Sequence, residues 1–336
     1  MEPDSWDAFL EEYWEKKPGV FGGAPTLATE DDINDALRAS FDRFFAQVAN
    51  PSQAPDAIGP HLLAGARFYV EQREASPTEF AKFLVSARSL GEYFDIVEER
   101  LRPHDFGVIL RNMHVLASRV WPPIHGFIKP FVDRIGVPVW NVESGIFLGT
   151  YRTTPFGIHK DPGSAVWTFP LIGKKRFYLW PPNYFNSNAV GLYDRPEPEH
   201  YAKDAIVLEA SPGQMMFWPS DWVHVAHDTN GGRHASYSIG VWSRASAATQ
   251  VQSAVGAFLR DKTDPTYTMM VKDECLPAPL ERALAALEDG VKTGELRGMI
   301  EELWRKRYRQ AGFSLVPDAS SSPAAAEREG PKREVG

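Results

Sequence analysis

The stretch Phe156-Gly157-Ile158-His159-Lys160-Asp161 places an imidazole and a carboxylate two positions apart. On an extended strand, residues i and i+2 point to the same face. His159 and Asp161 would then supply two groups of a two-histidine, one-carboxylate set, which holds Fe(II) on one face and leaves three coordination positions open. Oxygen chemistry uses those openings, two for a bidentate 2-oxo acid and one for dioxygen. The tripeptide alone recurs by chance, and an exposed pair at a strand end would read the same way. The rest of the chain has to decide.

Downstream, Ser211-Pro212-Gly213-Gln214-Met215-Met216-Phe217-Trp218-Pro219-Ser220-Asp221-Trp222-Val223-His224 runs from a turn through an apolar strand to a histidine. His227 and His234 follow and compete for the third ligand position; on a strand, His227 faces away from His224 because their spacing is odd. Histidines 61, 104, 114, 125 and 200 have no ligand-like spacing. Between the two histidine segments, Gly173-Lys174-Lys175-Arg176 sets a basic cluster at the start of the apolar run Phe177-Tyr178-Leu179-Trp180. A lysine pointing inward there would meet the distal carboxylate of a 2-oxo diacid, since a desolvated charge requires a partner. Lys174 and Lys175 compete for that position, because a one-residue change in the turn swaps their faces.

The elements that must carry these residues follow from periodicity. Trp6, Phe9, Leu10, Tyr13 and Trp14 share one helical face, with Asp4 as a cap and Pro18-Gly19 as a stop. A second helix begins near Asp31 with Ile33, Leu37, Phe41, Phe44, Phe45 and Val48 on one side and ends at Asn50-Pro51; residues 51–60 read as a loop. A third starts at Ser76-Pro77-Thr78-Glu79, a capping box, and carries Phe80, Phe83, Leu84 and Ala87. A fourth runs from Pro123 to Ile135 and stops at Gly136. Residues 138–142, 145–152, 156–161, 165–172, 175–180, 205–209, 214–218, 222–226 and 235–243 then read as short strands separated by Gly, Pro and Asn turns. Such spacing predicts a barrel or double-sheet jelly roll. Helical stripes return at Val251, Val255, Phe258 and Leu259, at Leu280, Leu284 and Leu287, and at Leu296, Ile300, Leu303 and Trp304. There is no internal repeat.

The expected organisation is a helical region over 1–136 packing on the core, a β core over 137–245, a C-terminal helical region over 246–316 and a disordered tail over 317–336. The aromatic residues, 12% of the chain, concentrate between 121 and 242, which suits pleated, half-buried surfaces. Trp167, Phe169, Tyr178 and Trp180 lie on strands beside the site, where some would line the pocket.

A net charge of -8 excludes the basic footprint of a nucleic-acid binder and favours a cationic partner or substrate. Cys275, the single cysteine, permits no internal disulfide, which fits a reducing compartment. The acidic, amphipathic opening segment does not read as a signal peptide, and no stretch reaches the roughly 20 apolar residues that span a bilayer, so no leader, no membrane contact and a cytoplasmic protein are expected.

In this order, His-x-Asp, Gly-x-Lys before a strand ending in Pro181-Pro182, and Pro-x-x-Trp-x-His resemble the JmjC or cupin-like branch of the Fe(II)- and 2-oxoglutarate-dependent oxygenases. The layout is similar to that of the asparaginyl hydroxylase acting on hypoxia-inducible factor. Phe9-Leu10-Glu11-Glu12-Tyr13-Trp14-Glu15-Lys16-Lys17-Pro18 looks like the opening of bacterial ribosomal-protein hydroxylases of the group. The resemblance covers residues 145–243 well and 6–18 weakly. It implies a mainly β fold with helical flanks and a double-stranded β-helix (jelly-roll, cupin-like) core. It makes His159, Asp161 and His224 the iron ligands, Lys175 the 2-oxoglutarate lysine, and Thr154 and Tyr151 further contacts to the cosubstrate. The family's asparagine on the last core strand has no match in Ser238-Ile239-Gly240-Val241-Trp242. Asp161 is not replaced by Gly or Ala, which implies hydroxylation rather than halogenation.

The implied reaction uses dioxygen to hydroxylate an unactivated carbon, in an amino-acid side chain of a peptide or protein. The alternatives are a small-molecule hydroxylase or N-demethylase of the same chemistry and a non-catalytic cupin-like metal-binding or interaction module. A cupin isomerase would use three histidines and a glutamate, a set absent here. A C-terminal helical pair forms a dimer in related enzymes, so a homodimer is expected. The C-terminal segment is too short for the winged-helix domain of the ribosomal-protein hydroxylases, so the resemblance does not extend to their substrate.

Overall fold

The computed structural model describes residues 3–49, 66–138, 142–185, 197–227, 231–244, 247–262 and 278–310. Cys275, the 51–60 loop and the 317–336 tail lie outside these residues, as do the side chains of Phe44, Phe45 and Val48.

Helix α1 spans Pro3–Glu12 and buries Trp6 and Phe9. The chain then turns, with Glu15 at φ 56°, and enters strand β1 (Gly19–Gly22). Helix α2 (Glu30–Ala49) is capped by Thr29, whose hydroxyl accepts from Asp32 N at 3.2 Å while the Asp32 carboxylate accepts from Thr29 N at 2.8 Å. Strands β2 (Ala66–Val70) and β3 (Arg73–Glu74) form a hairpin. The Ser76–Glu79 capping box is present, yet helix α3 closes after Pro77–Phe80. Phe83 and Ala87 are still buried, but from irregular chain. Ser89 caps α4 (Leu90–Leu101), which leads to strand β4 (Phe106–Arg111), the short α5 (Met113–Leu116) and α6 (Trp121–Ile135), closed by Gly136 at φ 95°.

The remaining strands are β5 (Val142–Gly149), β6 (Ser164–Ile172), β7 (Lys175–Trp180), β8 (Ile206–Ala210), β9 (Gln214–Trp218), β10 (Val223–Ala226) and β11 (His234–Trp242). They build an eight-stranded sheet, β1-β9-β6-β11-β5-β4-β2-β3, and a three-stranded sheet, β10-β7-β8. Paired strands in both sheets are antiparallel. From β5 to β11 the chain passes back and forth between the two sheets, which is jelly-roll topology. Val166, Met216 and Trp218 from the large sheet pack with Phe177, Leu179 and Leu208 from the small one, so the sheets face each other. The outer face of the large sheet is covered by α1, α2, α4 and α6 through one continuous apolar core. Helices α7 (Ala247–Lys262), α8 (Ala278–Thr293) and α9 (Glu295–Gln310) pack together, with Phe258 buried against Gly290.

Two expectations change. Residues 1–136 are not helical throughout: β1, β2, β3 and β4 widen the large sheet beyond the jelly-roll strands. Residues 156–161 form no strand and carry a single bridge, His159 to His224. Pro155, Gly157 at φ 69° and Pro162 break the ladder on either side of that bridge.

Candidate functional site

His159 and His224 face each other across that bridge. Each donates its backbone N–H to the other's carbonyl, at 3.0 and 2.8 Å, which aligns two segments 65 positions apart. Both rings are held the same way. His159 Nδ1 contacts Gly157 O at 3.0 Å, and His224 Nδ1 contacts Trp222 O at 3.0 Å. A carbonyl only accepts, so Nδ1 carries the proton and Nε2 presents its lone pair. His224 Nε2 lies 3.7 Å from an Asp161 oxygen, and the three side chains offer donor atoms within 4.8 Å of one another. Burial, with the repulsion of His224 second, pushes His159 down to about 4, and burial likewise lowers His224. Both imidazoles are therefore neutral near pH 7, the state in which imidazole binds metal. Two imidazole nitrogens and one carboxylate on one side of a cavity fit a ferrous ion with open positions.

The grouping does not come from strand alternation through His159 and Asp161. Asp161 enters from the turn before β6, where Ser164 N donates to Asp161 O at 3.1 Å. Gly163 allows that turn: its φ is +79°, and a Cβ there would lie 2.2 Å from Arg244 O.

These residues open onto a cavity of about 280 Å³ between the sheets, which Lys175, Tyr151 and Thr154 also line. Lys175 is 5% exposed; its Nζ donates to the Tyr151 hydroxyl at 3.4 Å and sits 5.0 Å from the Tyr151 ring centre. Lys174 faces outward and pairs with Glu209, as does Arg176 at 2.5 Å. The alternation of β7 thus points Lys175 inward and Lys174 to solvent. Thr154 is tied to β10: its hydroxyl donates to Ala226 O at 3.1 Å and accepts from Ala226 N at 3.0 Å. Tyr151 reaches its place because β5 ends at Gly149, whose φ is +155° and where a Cβ would lie 2.2 Å from Phe106 O.

The competing histidines stand elsewhere. His227 bonds Thr153 Oγ1 at 2.8 Å and Glu199 at 3.1 Å, outside the cavity. His234 packs edge-on against Tyr151 with ring centres 4.3 Å apart.

The aromatic expectation is corrected. Trp167, Phe169, Tyr178 and Trp180 do not line the cavity. Trp167 and Phe169 belong to the helix-covered core, and Trp180 packs with Ile158 on the far side of the small sheet. The residues next to them in sequence point inward instead: Val166 and Thr168 on β6, Phe177 on β7.

Strands β2, β4 and β5 add Arg67, Tyr69, Arg111 and Glu143 to the lining, and β11 adds Trp242. None was a candidate from the sequence. The readable signal was Arg67-Phe68-Tyr69-Val70, in which Phe68 turns to the core while Arg67 and Tyr69 turn to the cavity.

No family model matches the chain. No curated protein matches it in sequence. Among solved structures, E. coli YcfD matches with a TM-score of 0.47 at 13% identity, over 91% of this chain and 70% of that one. YcfD described as a ribosomal oxygenase from Escherichia coli, in complex with cobalt and succinic acid, matches at 0.45 and 14%, over 91% and 69%. Its complex with cobalt and 2-oxoglutarate matches at 0.42 and 13%, over 91% and 69%. These likenesses are too distant to carry a residue's role across, and the topology and site geometry stand on this chain alone.

Proposed function

We propose that this protein is an Fe(II)- and 2-oxoglutarate-dependent oxygenase that hydroxylates an unactivated carbon in an amino-acid side chain of a peptide or protein. One observation carries the reading: a two-histidine, one-aspartate group and a buried lysine open onto the same cavity. The metal group accounts for an oxidant, and the lysine accounts for an acidic cosubstrate.

His159, Asp161 and His224 would hold the metal. The Gly157 and Trp222 carbonyls fix the two rings with Nε2 forward. Lys175 would bind the distal carboxylate of 2-oxoglutarate, with the Tyr151 hydroxyl and Thr154 beside it. Phe156, Phe177 and Trp218 supply apolar wall around the metal group and limit water there. When bound, iron and 2-oxoglutarate supply the oxidising power that places one atom of dioxygen into a C–H bond, while the protein supplies orientation and a shielded pocket.

The test is spectroscopic first. Anaerobic protein given Fe(II) and 2-oxoglutarate should develop a metal-to-ligand charge-transfer band, and in air it should form succinate. Folded protein that does neither is a non-catalytic cupin-like module, and the reading fails. Mass spectrometry of peptide substrates should then show addition of one oxygen that disappears in Asp161→Ala.

A homodimer is part of the same proposal. Leu280, Leu284 and Trp304 on α8 and α9 are 40%, 47% and 48% exposed, which leaves apolar area for a second copy. Sedimentation as a monomer at micromolar concentration would remove it.

A further inference from the structure

The cavity runs against the charge of the whole protein. The chain carries -8, yet Arg67, Arg111, Lys160 and Lys175 line the cavity against only Asp161 and Glu143. The present inference rests on the oxygenase reading, which assigns Asp161 to the metal and Lys175 to 2-oxoglutarate. Iron(II) brings two positive charges and 2-oxoglutarate two negative ones, so loading the site leaves the cationic excess unchanged.

Glu143, already counted in that balance, is engaged by Arg111 and Trp242. Arg111 Nε lies 3.7 Å from one of its oxygens, and Trp242 Nε1 donates to the other at 3.3 Å. Arg67 stands apart from this pair on the same face of the sheet. The register sets Arg67 opposite Ile109 and Ile109 opposite Phe147, and Arg111 opposite Gly145. Cross-strand partners share a face, so the two guanidinium groups lie on adjacent rows of one wall. Arg67 lies beside Tyr69, which is 3% exposed. Among the described residues, Arg67 has no carboxylate at ion-pair distance.

An oriented guanidinium facing a cavity is a receptor for an oxyanion, which it grips with two parallel hydrogen bonds. A cationic substrate group would meet Arg67, Arg111 and Lys160 together and would have to displace Arg111 from Glu143. A neutral one would leave the excess positive charge without a counter-charge in the cavity. We infer that the substrate presents a carboxylate to Arg67, with Arg111 held by Glu143 and Trp242 as the neighbouring wall. The carboxylate comes either from an Asp or Glu side chain or from a peptide C-terminus. The overall negative charge of the chain points the other way, but a field set by the nearest groups outweighs surface charges screened beyond about 10 Å.

Four probes decide it: acetyl-Gly-Gly-X-Gly-Gly-amide with X as Asp, Asn or Lys, and the Asn peptide with a free C-terminal carboxylate. Binding is measured anaerobically on protein loaded with Fe(II) and 2-oxoglutarate, for wild type, Arg67→Gln and Arg67→Lys. The Asp peptide or the free-acid peptide should bind about tenfold more tightly than the Asn amide, and which of them does so identifies the source of the carboxylate. Arg67→Gln should abolish the preference, Arg67→Lys should keep part of it, and both variants should retain the charge-transfer band and the 2-oxoglutarate affinity. No preference for a carboxylate, no binding of any probe, or tighter binding of the Lys peptide would overturn the inference. So would weakened 2-oxoglutarate binding in Arg67→Gln, because Arg67 would then serve the cosubstrate. Absence of the band in wild type instead fails the oxygenase reading, and the same peptide comparison without metal still reads the anion preference.

Discussion

The two faces of the eight-stranded sheet are made by alternate residues of the same strands and could hardly differ more. On the helix side, Trp167 is fully buried among rings of Phe131 at 5.3 Å, Phe217 at 5.0 Å and Phe9 at 5.7 Å. On the other side, one residue away, Val166 and Thr168 border a cavity that holds the His159, Asp161 and His224 group and a buried lysine. The dry face stabilises, since burying large aromatic rings removes the most apolar area from water. The wet face concentrates desolvated imidazoles and uneven charge, which cost stability.

The contrast can be broken at several points. The largest effect belongs to the cavity side: Asp161→Ala should reduce succinate formation to background and remove the charge-transfer band, while far-ultraviolet circular dichroism stays native, because Asp161 carries no part of the core. The converse is Trp167→Ala, which should cost about 3–5 kcal/mol in denaturant unfolding by opening a cavity in the packed face. A destabilisation below about 1 kcal/mol would mean that this face is not the structural one.

Lys175→Met should raise the KM for 2-oxoglutarate about thirtyfold or more, the loss expected when one partner of a buried charge pair is removed. Lys174→Met, one residue away but facing solvent, should leave that KM within error. Equal effects from the two would show that the inward and outward assignment on β7 is wrong.

The smallest effect concerns acid stability on the helix side. His114 contacts Ser144 Oγ at 2.7 Å, and burial pushes its pKa down to about 4 from 6.5. The folded value lies below the unfolded one, so the unfolded chain binds the proton first. The stabilising neutrality is complete above about pH 6.5 and is lost as pH falls toward 4. At pH 5 the loss from this residue is about 2 kcal/mol. His114→Gln should therefore lose less stability than wild type between pH 7 and pH 5.

The side chains gathered at the candidate site were largely legible. His159, Asp161, His224 and Lys175 stand in segments whose order and local pattern set them apart, and the turns at Pro162-Gly163 and Pro212-Gly213 delimit the strands around them. The helices at 30–49 and 121–135 were readable from the recurrence of apolar residues. Periodicity did not reveal β4, because Phe106-Gly107-Val108-Ile109-Leu110 is apolar at every position and shows no alternation. It did not reveal β1, which is four residues long and begins and ends with glycine. It also overextended α3, whose capping box nucleates a single turn.

What the sequence by itself determined is the set of side chains and the strand pattern that carries them. Only the tertiary structure decided which of them meet. The bridge between His159 and His224 joins segments 65 positions apart, and the register across β2, β4 and β5 brings Arg67, Tyr69, Ile109 and Arg111 to the wall of a cavity otherwise built from residues beyond 142. Local patterns report which face a residue prefers. Pairing between distant strands depends on the fit of every face at once, and no short window of sequence contains that information.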